Sequence, residues 1–117
     1  KLAKRLGHLA RSEQAYPEAI QWYQEAIRLL PSLSEEAAYR IGSCYEEGGD
    51  WSEALRWYQR SEQPPWRVRG RLAAAKLLER LDRVAEAEAI YEGLAGEPIP
   101  EAKAIQERLA ALRNEKE

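Results

Sequence analysis

The feature that most constrains this chain is an internal repeat. The segment 17–24 returns as 52–59, and each residue of the second copy stands 35 positions after its counterpart in the first. Gly7 and Gly42 repeat the same step, and a fainter third copy, 85–91, follows 33 positions after the second. A fixed period of roughly 20 to 50 residues predicts stacked copies of one supersecondary unit that share a continuous core.

Within each copy the apolar residues recur at three and four positions, which is the period of an α-helix. Pro and Gly clusters separate these runs. We predict seven helices, at 2–13, 17–30, 34–47, 51–62, 66–80, 83–95 and 101–114. The start signals agree, because Ser32 and Asp50 each stand three positions before a Glu, as in a capping box, and Pro17 suits a first helical turn. Strand alternation is nowhere sustained, so the predicted fold class is all-α.

The residues at the expected contact positions resemble the tetratricopeptide repeat family, in its bacterial form. The family pattern is a Leu-Gly pair, an aromatic, Ala, a second aromatic, Ala and a closing Pro. The first copy reads Leu6, Gly7, Tyr16, Ala19, Tyr23, Ala26 and Pro31. The second reads Ile41, Gly42, Tyr45, Trp51, Ala54, Tyr58 and Ser61, followed by Pro64 and Pro65. The third, degenerate copy reads Ala74, Ala75, Leu78, Val84, Ala87 and Tyr91.

The resemblance covers nearly the whole chain and implies one domain over 1–117, an α-solenoid of antiparallel helix pairs in a right-handed superhelix. Its repeats would occupy about 1–33, 34–65 and 66–98. A C-terminal helix, 101–114, would either cap the stack or begin a fourth repeat. Because the chain begins inside a helical pattern and without Met, we expect a segment of a longer protein, whose remaining part would be one of its partners.

The sequence offers little for catalysis. A nucleophile and a base must converge, but the one histidine, His8, and the one cysteine, Cys44, lie in different repeats. Cys44 has no partner for an internal disulfide and stands at a small packing position, so we interpret it as a core residue. The ligands of a zinc site cannot be assembled from this inventory, and no phosphate-binding glycine loop is present. We therefore predict a non-catalytic protein without metal or cofactor.

In this family the first helix of each pair lines a groove, and the resemblance implies that partners bind there. The groove candidates are Lys4, Arg5, His8 and Arg11 in the first repeat, Tyr39, Arg40, Ser43 and Glu47 in the second, and Arg69, Leu72, Lys76 and Arg80 in the third. Cations predominate among them although the formal net charge of the chain is -2, so we expect an acidic protein or peptide partner. An ordinary solvated face is the alternative interpretation.

The clamp with which some family members hold the C-terminal tails of chaperones is not predicted. It would need two asparagines and an arginine where this sequence has His8, Arg40 and Ala73. If the groove is not the binding site, the convex face around Trp22 and Trp57 or the ends of the stack would take that role.

The function we predict is a protein–protein interaction scaffold. One alternative, drawn by analogy, is a repeat segment of a bacterial envelope or exopolysaccharide export protein, which would place it in the periplasm rather than the cytoplasm. A second is an RNA-binding helical repeat, which shares the 35-residue step. The Leu-Gly and Ala-aromatic-Ala signature and the acidic composition disfavour that second alternative. No apolar run in the sequence approaches the length of a membrane span.

Overall fold

The computed structural model describes residues 2–115, and all regular structure in that range is helical. The helices are α1 (Leu2–Ser12), α2 (Tyr16–Leu29), α3 (Ser34–Glu47), α4 (Trp51–Tyr58), α5 (Trp66–Arg80), α6 (Val84–Ala95) and α7 (Ala102–Glu115), with a short 3-10 helix, Pro31–Leu33, before α3. The all-α prediction is confirmed. Six of the seven predicted helices also match the observed ones to within one residue at each end.

The helices pair in chain order as antiparallel hairpins. In the first part of the chain α1 pairs with α2 and α3 with α4, and α2 packs on α3 to join the two hairpins. The chain divides into two compact units, unit 1 before and unit 2 after a boundary that follows Gly70 inside α5. In unit 2, α6 packs on α7, and a hydrogen bond from Tyr91 to Glu79 joins α6 to α5.

The core of unit 1 forms where the two hairpins meet. Its buried cluster combines Ala19, Ile20 and Tyr23 of α2 with Ala37, Ile41 and Cys44 of α3. Cys44 is fully buried, which confirms its interpretation as a core residue. The hairpins themselves close around glycine. A Cβ atom on Gly7 would lie 2.7 Å from a ring carbon of Tyr23, and the corresponding contact of Gly42 is with Tyr58, at 2.8 Å.

One predicted helix end is wrong, because α4 stops at Tyr58 instead of continuing to 62. Glu35, in the first turn of α3, holds the chain that follows. Its Oε1 accepts hydrogen bonds from the backbone N–H groups of Glu62 (3.0 Å) and Gln63 (2.6 Å), and its carbonyl accepts one from buried Ser61 (2.8 Å). These bonds stabilise a non-helical path for the segment between α4 and α5.

Of the predicted helix start signals, Asp50 and Pro17 are confirmed and Ser32 is not. Asp50 accepts a hydrogen bond from the backbone N–H three residues on, at 3.4 Å, and Pro17 lies in the first turn of α2, as predicted. Ser32 does not cap α3, so that prediction is wrong. Pro31 opens the 3-10 helix instead, and the Ser34 hydroxyl donates back to the Pro31 carbonyl at 2.5 Å.

The turn inside each hairpin has the same geometry. One residue per turn has a positive φ, and these residues are Gln14 (61°), Gly49 (90°) and Asp82 (61°). In each case the next backbone N–H donates to a carbonyl five residues back, at Ala10, Tyr45 and Leu78. This pattern is the Schellman motif, in which a left-handed residue ends an α-helix.

Because a left-handed conformation costs residues with a Cβ atom roughly 1 kcal/mol, we expect Gly49→Ala to lower the free energy of unfolding by about that amount. No heavy atom lies within 4 Å of the added Cβ, so backbone conformation alone accounts for the loss. Gln14→Gly should act in the opposite direction. Urea denaturation measures both changes, and a destabilising Gln14→Gly would contradict the shared turn geometry.

Another close helix approach in unit 1 is at Gly70, which the sequence pattern did not single out. A Cβ atom built there would lie 2.1 Å from the carbonyl oxygen of Tyr58, a backbone atom at the end of α4. A backbone atom cannot move aside as a flexible side chain can, so the start of α5 and the end of α4 depend on the absence of a side chain at this position.

We therefore expect Gly70→Ala to lower the free energy of unfolding by roughly 1 to 3 kcal/mol through overpacking. Gly93→Ala is the matched control, because Gly93 also lies in a helix but a Cβ atom there meets nothing within 4 Å. The control should stabilise by about 0.5–1 kcal/mol, since Ala has the higher helix propensity. Equal effects of the two substitutions in thermal or urea denaturation would show that the Gly70 contact is unimportant.

Candidate functional site

The first helices of the two hairpins in unit 1 bring a set of polar side chains together. We call this set the α1–α3 cluster; its members are Lys4, His8 and Arg11 of α1 and Glu36, Arg40, Ser43 and Glu47 of α3. Lys4 donates to Glu36 at 2.7 Å. Arg11 donates to Ser43 at 2.7 Å and to Glu47 at 2.5 Å. The structure thus brings together six of the predicted groove residues and pairs Lys4 and Arg11 with carboxylates.

Glu36 is the acidic centre of the α1–α3 cluster, and the sequence interpretation missed it. One carboxylate oxygen accepts from Lys4, and the other lies 3.4 Å from Nη2 of Arg40. Burial by itself raises the pKa of Glu36, but the hydrogen bond from Lys4 and the positive charges of Lys4 and Arg40 outweigh burial and leave the pKa below its ordinary value. The sequence did contain one signal for Glu36. Arg40 stands four positions later, and this spacing favours an ion pair on a helix.

His8 and Cys44, the two residues considered for catalysis, have different surroundings. Nδ1 of His8 lies 2.5 Å from the hydroxyl oxygen of Tyr23, and the two rings pack edge to face. Burial lowers the pKa of His8, and the charges of Arg40 and Lys4 lower it further. Burial raises the pKa of the Cys44 thiol to about 11, so Cys44 is protonated at neutral pH and is no nucleophile.

Next to the α1–α3 cluster, aromatic rings and guanidinium groups stack on one another. We call this group the Trp66 cluster; it consists of Tyr39, Arg40, Trp66 and Arg69. The rings of Tyr39 and Trp66 are 5.6 Å apart. The guanidinium carbons of Arg40 and Arg69 lie 5.6 Å and 4.8 Å from the centre of a Trp66 ring, within cation–π range. Trp66 was not among the predicted groove residues, because no family position marks it.

The remaining candidates lie elsewhere. Arg5 is exposed and makes no hydrogen bond or ion pair with other described residues. Leu72, Lys76 and Arg80 line a groove of about 580 Å³ in unit 2. Its other lining residues are Glu79, Tyr91, Glu101, Ala104, Ile105 and Arg108.

Glu79 is one of two acidic residues that line this unit 2 groove. It accepts hydrogen bonds from Nε of Arg108 at 3.0 Å and from the Tyr91 hydroxyl at 2.6 Å. The hydrogen bond from Arg108 is the main reason that the pKa of Glu79 lies below its ordinary value. Lys76 makes no ion pair within the described part of the chain, so its ammonium group is open to a partner.

Among residues 2–115, no group of three or more His, Cys, Asp and Glu side chains is placed to hold a metal ion. In the same range, no helix combines the length and the apolar character that crossing a bilayer requires.

Comparisons with known proteins agree with the repeat that the sequence shows. The family model described as "Tetratricopeptide repeat" matches residues 2–36 and 37–62. A search of curated protein sequences gives no match. Among solved structures, the chain is similar to that of the Yersinia enterocolitica type III secretion translocator chaperone SycD. The TM-score is 0.67 at 19% sequence identity, over 98% of this chain and 83% of that one.

The environment of His8 predicts a pH dependence of stability. The unfolded chain takes up a proton near the ordinary pKa of 6.5, whereas the folded chain resists it. Stability should therefore be lost as the pH falls through about 6.5. His8 is the one histidine, so His8→Gln should flatten the dependence of the urea midpoint between about pH 7.5 and 5.5. Glu25→Gln, which removes an exposed carboxylate that takes no part in the surroundings of His8, is the control and should keep that dependence; an equally steep loss in His8→Gln would refute the assignment.

Proposed function

The chain belongs to the tetratricopeptide repeat family, and we propose that it is a non-catalytic scaffold that binds an acidic segment of a partner protein on its first-helix face. The observation that carries this proposal is the Trp66 cluster. Two arginines flank one indole there, and their nearest carboxylate contact is the 3.4 Å approach of Arg40 to Glu36.

The donors of the two arginines are incompletely used. Arg40 keeps 30% of its side chain exposed, and its one carboxylate contact among the described residues is the 3.4 Å approach to Glu36. Arg69 is exposed and makes no ion pair with them. A carboxylate from a partner could accept from both guanidinium groups, which present N–H donors in a planar fork suited to that geometry.

Charge alone would bind weakly, because an exposed ion pair contributes about 0 to 1 kcal/mol. The Trp66 cluster adds an apolar component, since Tyr39 and Trp66 are partly buried and keep some ring surface exposed. Aromatic and arginine side chains together are the usual composition of energetic hot spots in protein interfaces. We therefore infer that the preferred partner segment combines carboxylates with apolar side chains.

The unit 2 groove fits the same ligand chemistry. Leu72 and Ile105 supply apolar lining, and Lys76 supplies a cation that makes no ion pair with the described residues. This groove would by itself accept an acidic or apolar side chain.

The solved structure with a similar fold is titled a type III secretion translocator chaperone. Capture of a partner segment by a chaperone would be one form of the binding proposed here. Exopolysaccharide export and a periplasmic location gain no support from the comparisons and stay alternatives drawn from the sequence, as does RNA binding, which the sequence disfavours.

The test measures fluorescence anisotropy with short labelled peptides in which Asp and Leu alternate, and with matched peptides in which Lys replaces Asp. Arg40→Gln combined with Arg69→Gln should weaken binding of the Asp peptide about tenfold. Raising the salt concentration from about 50 to about 300 mM should weaken it as well.

The matched control is Arg28→Gln combined with Arg56→Gln, because these exposed arginines lie on second helices. The control should bind like the unchanged chain. Equal losses in both double variants, or tighter binding of the Lys peptide, would refute the proposed site.

A further inference from the structure

Exposed large apolar side chains concentrate on the first hairpin. Among the described residues they are Leu2 (70% exposed), Leu9 (56%), Trp22 (37%), Leu29 (58%), Leu30 (40%) and, outside this hairpin, Trp51 (37%). Leu2 and Leu9 stand one heptad apart on α1, and Trp22 and Leu29 stand one heptad apart on α2. Residues so spaced lie on the same side of a helix. We call these four residues the hairpin-1 face.

The internal repeat shows what the equivalent residues do in the second hairpin. Leu2 and Leu9 correspond to Ala37 and Cys44 of the second hairpin, 35 positions later, and both of those are buried against α2. Trp22 corresponds to Trp57, which packs against the same core cluster. The hairpin-1 face therefore occupies the positions through which the second hairpin stacks on the first, yet its four side chains stay 37–70% exposed in the described chain.

We propose that the hairpin-1 face joins two copies of this chain about a twofold axis, with α1 of each copy on α2 of the other. The two stripes have matching spacing, so Leu2 and Leu9 of one copy can lie along Trp22 and Leu29 of its partner. A twofold interface of this kind uses the same patch on both copies, so two copies satisfy it and no patch is left for a third.

Charge complementarity supports this arrangement. The twofold axis runs α1 antiparallel to α2 of the partner copy, which sets Leu2 near Leu29 and Leu9 near Trp22. Arg5 stands three residues after Leu2 and Glu25 stands four residues before Leu29, so the two charges lie at nearly the same level of their stripes. Packing α1 against α2 of the partner copy brings opposite charges together, whereas α1 against α1 would oppose two arginines. Arg5 makes no ion pair in the described chain, and Glu25 is paired only with exposed Arg28.

A head-to-tail arrangement fits less well, because the last helix has no matching apolar surface. The apolar residues Ile105, Leu109 and Leu112 of α7 are buried within unit 2. The exposed positions of α7 are mostly polar or charged: Lys103, Ala104, Gln106, Glu107, Arg108, Ala110, Arg113, Asn114 and Glu115. The apolar hairpin-1 face is therefore better matched by its own copy.

The first test is sedimentation equilibrium of the full 117-residue chain over a wide concentration range. We expect a monomer–dimer equilibrium, and Leu9→Glu should raise its dissociation constant at least about tenfold by placing a charge in the interface. The matched control is Ala110→Glu, at an exposed position of α7, which should leave the dissociation constant unchanged. Circular dichroism checks that both variants keep the helical fold.

A charge exchange tests the orientation. Arg5→Glu and Glu25→Arg should each weaken the dimer, and the double variant should restore it. Failure of the double variant to recover would overturn the pairing of α1 with α2 of the partner copy. A chain that stays monomeric at the highest concentrations, or a dimer that Leu9→Glu does not affect, would overturn the proposal as a whole. None of these residues belongs to the Trp66 cluster, so this result is independent of the peptide-binding measurement.

Discussion

The contact between a glycine on one helix and a tyrosine ring on the next is the constraint on which unit 1 depends. Gly7 lies against Tyr23 in the first hairpin, and Gly42 lies against Tyr58 in the second. Each ring fills the space that a side chain on the facing helix would need, so the two helices approach closely and bury the ring. Because both hairpins use the same contact, they are alike in shape and their first helices present equivalent faces.

The stacking of the two hairpins then determines which faces of their first helices come into contact. Three polar contacts join α1 to α3: Lys4 to Glu36 and Arg11 to Ser43, each 32 positions apart, and Arg11 to Glu47, 36 positions apart. These contacts place Glu36 beside Lys4 and turn a row of cations into a cluster that is partly neutralised. Arg40 and Arg69 lie next to this cluster, against the ring of Trp66.

The sequence was sufficient for the helices because their boundaries depend on local signals, such as the left-handed turns and the breakers between runs. It was insufficient wherever the role of a residue depends on a contact with a residue far away in the sequence. Glu35 ends α4 by binding backbone N–H groups almost thirty residues later, so its carboxylate was mistaken for part of a local cap. Gly70 and Trp66 likewise owe their roles to the approach of α5 to α4 and α3, and no repeat position marks either residue. The predicted groove residues were placed on the right helices, but their pairing depends on contacts between α1 and α3 that no local pattern gives.

The buried thiol of Cys44 makes the junction between the hairpins observable. Its side chain is enclosed among residues of α2 and α3, and no other cysteine is present in the chain. A thiol reagent can reach it only when α3 separates from α2, and reaction requires the thiolate that burial disfavours. The labelling rate under native conditions therefore reports how often the two hairpins come apart, without any introduced probe. Comparing that rate with the rate of global unfolding would show whether this short stack opens one repeat at a time or all at once.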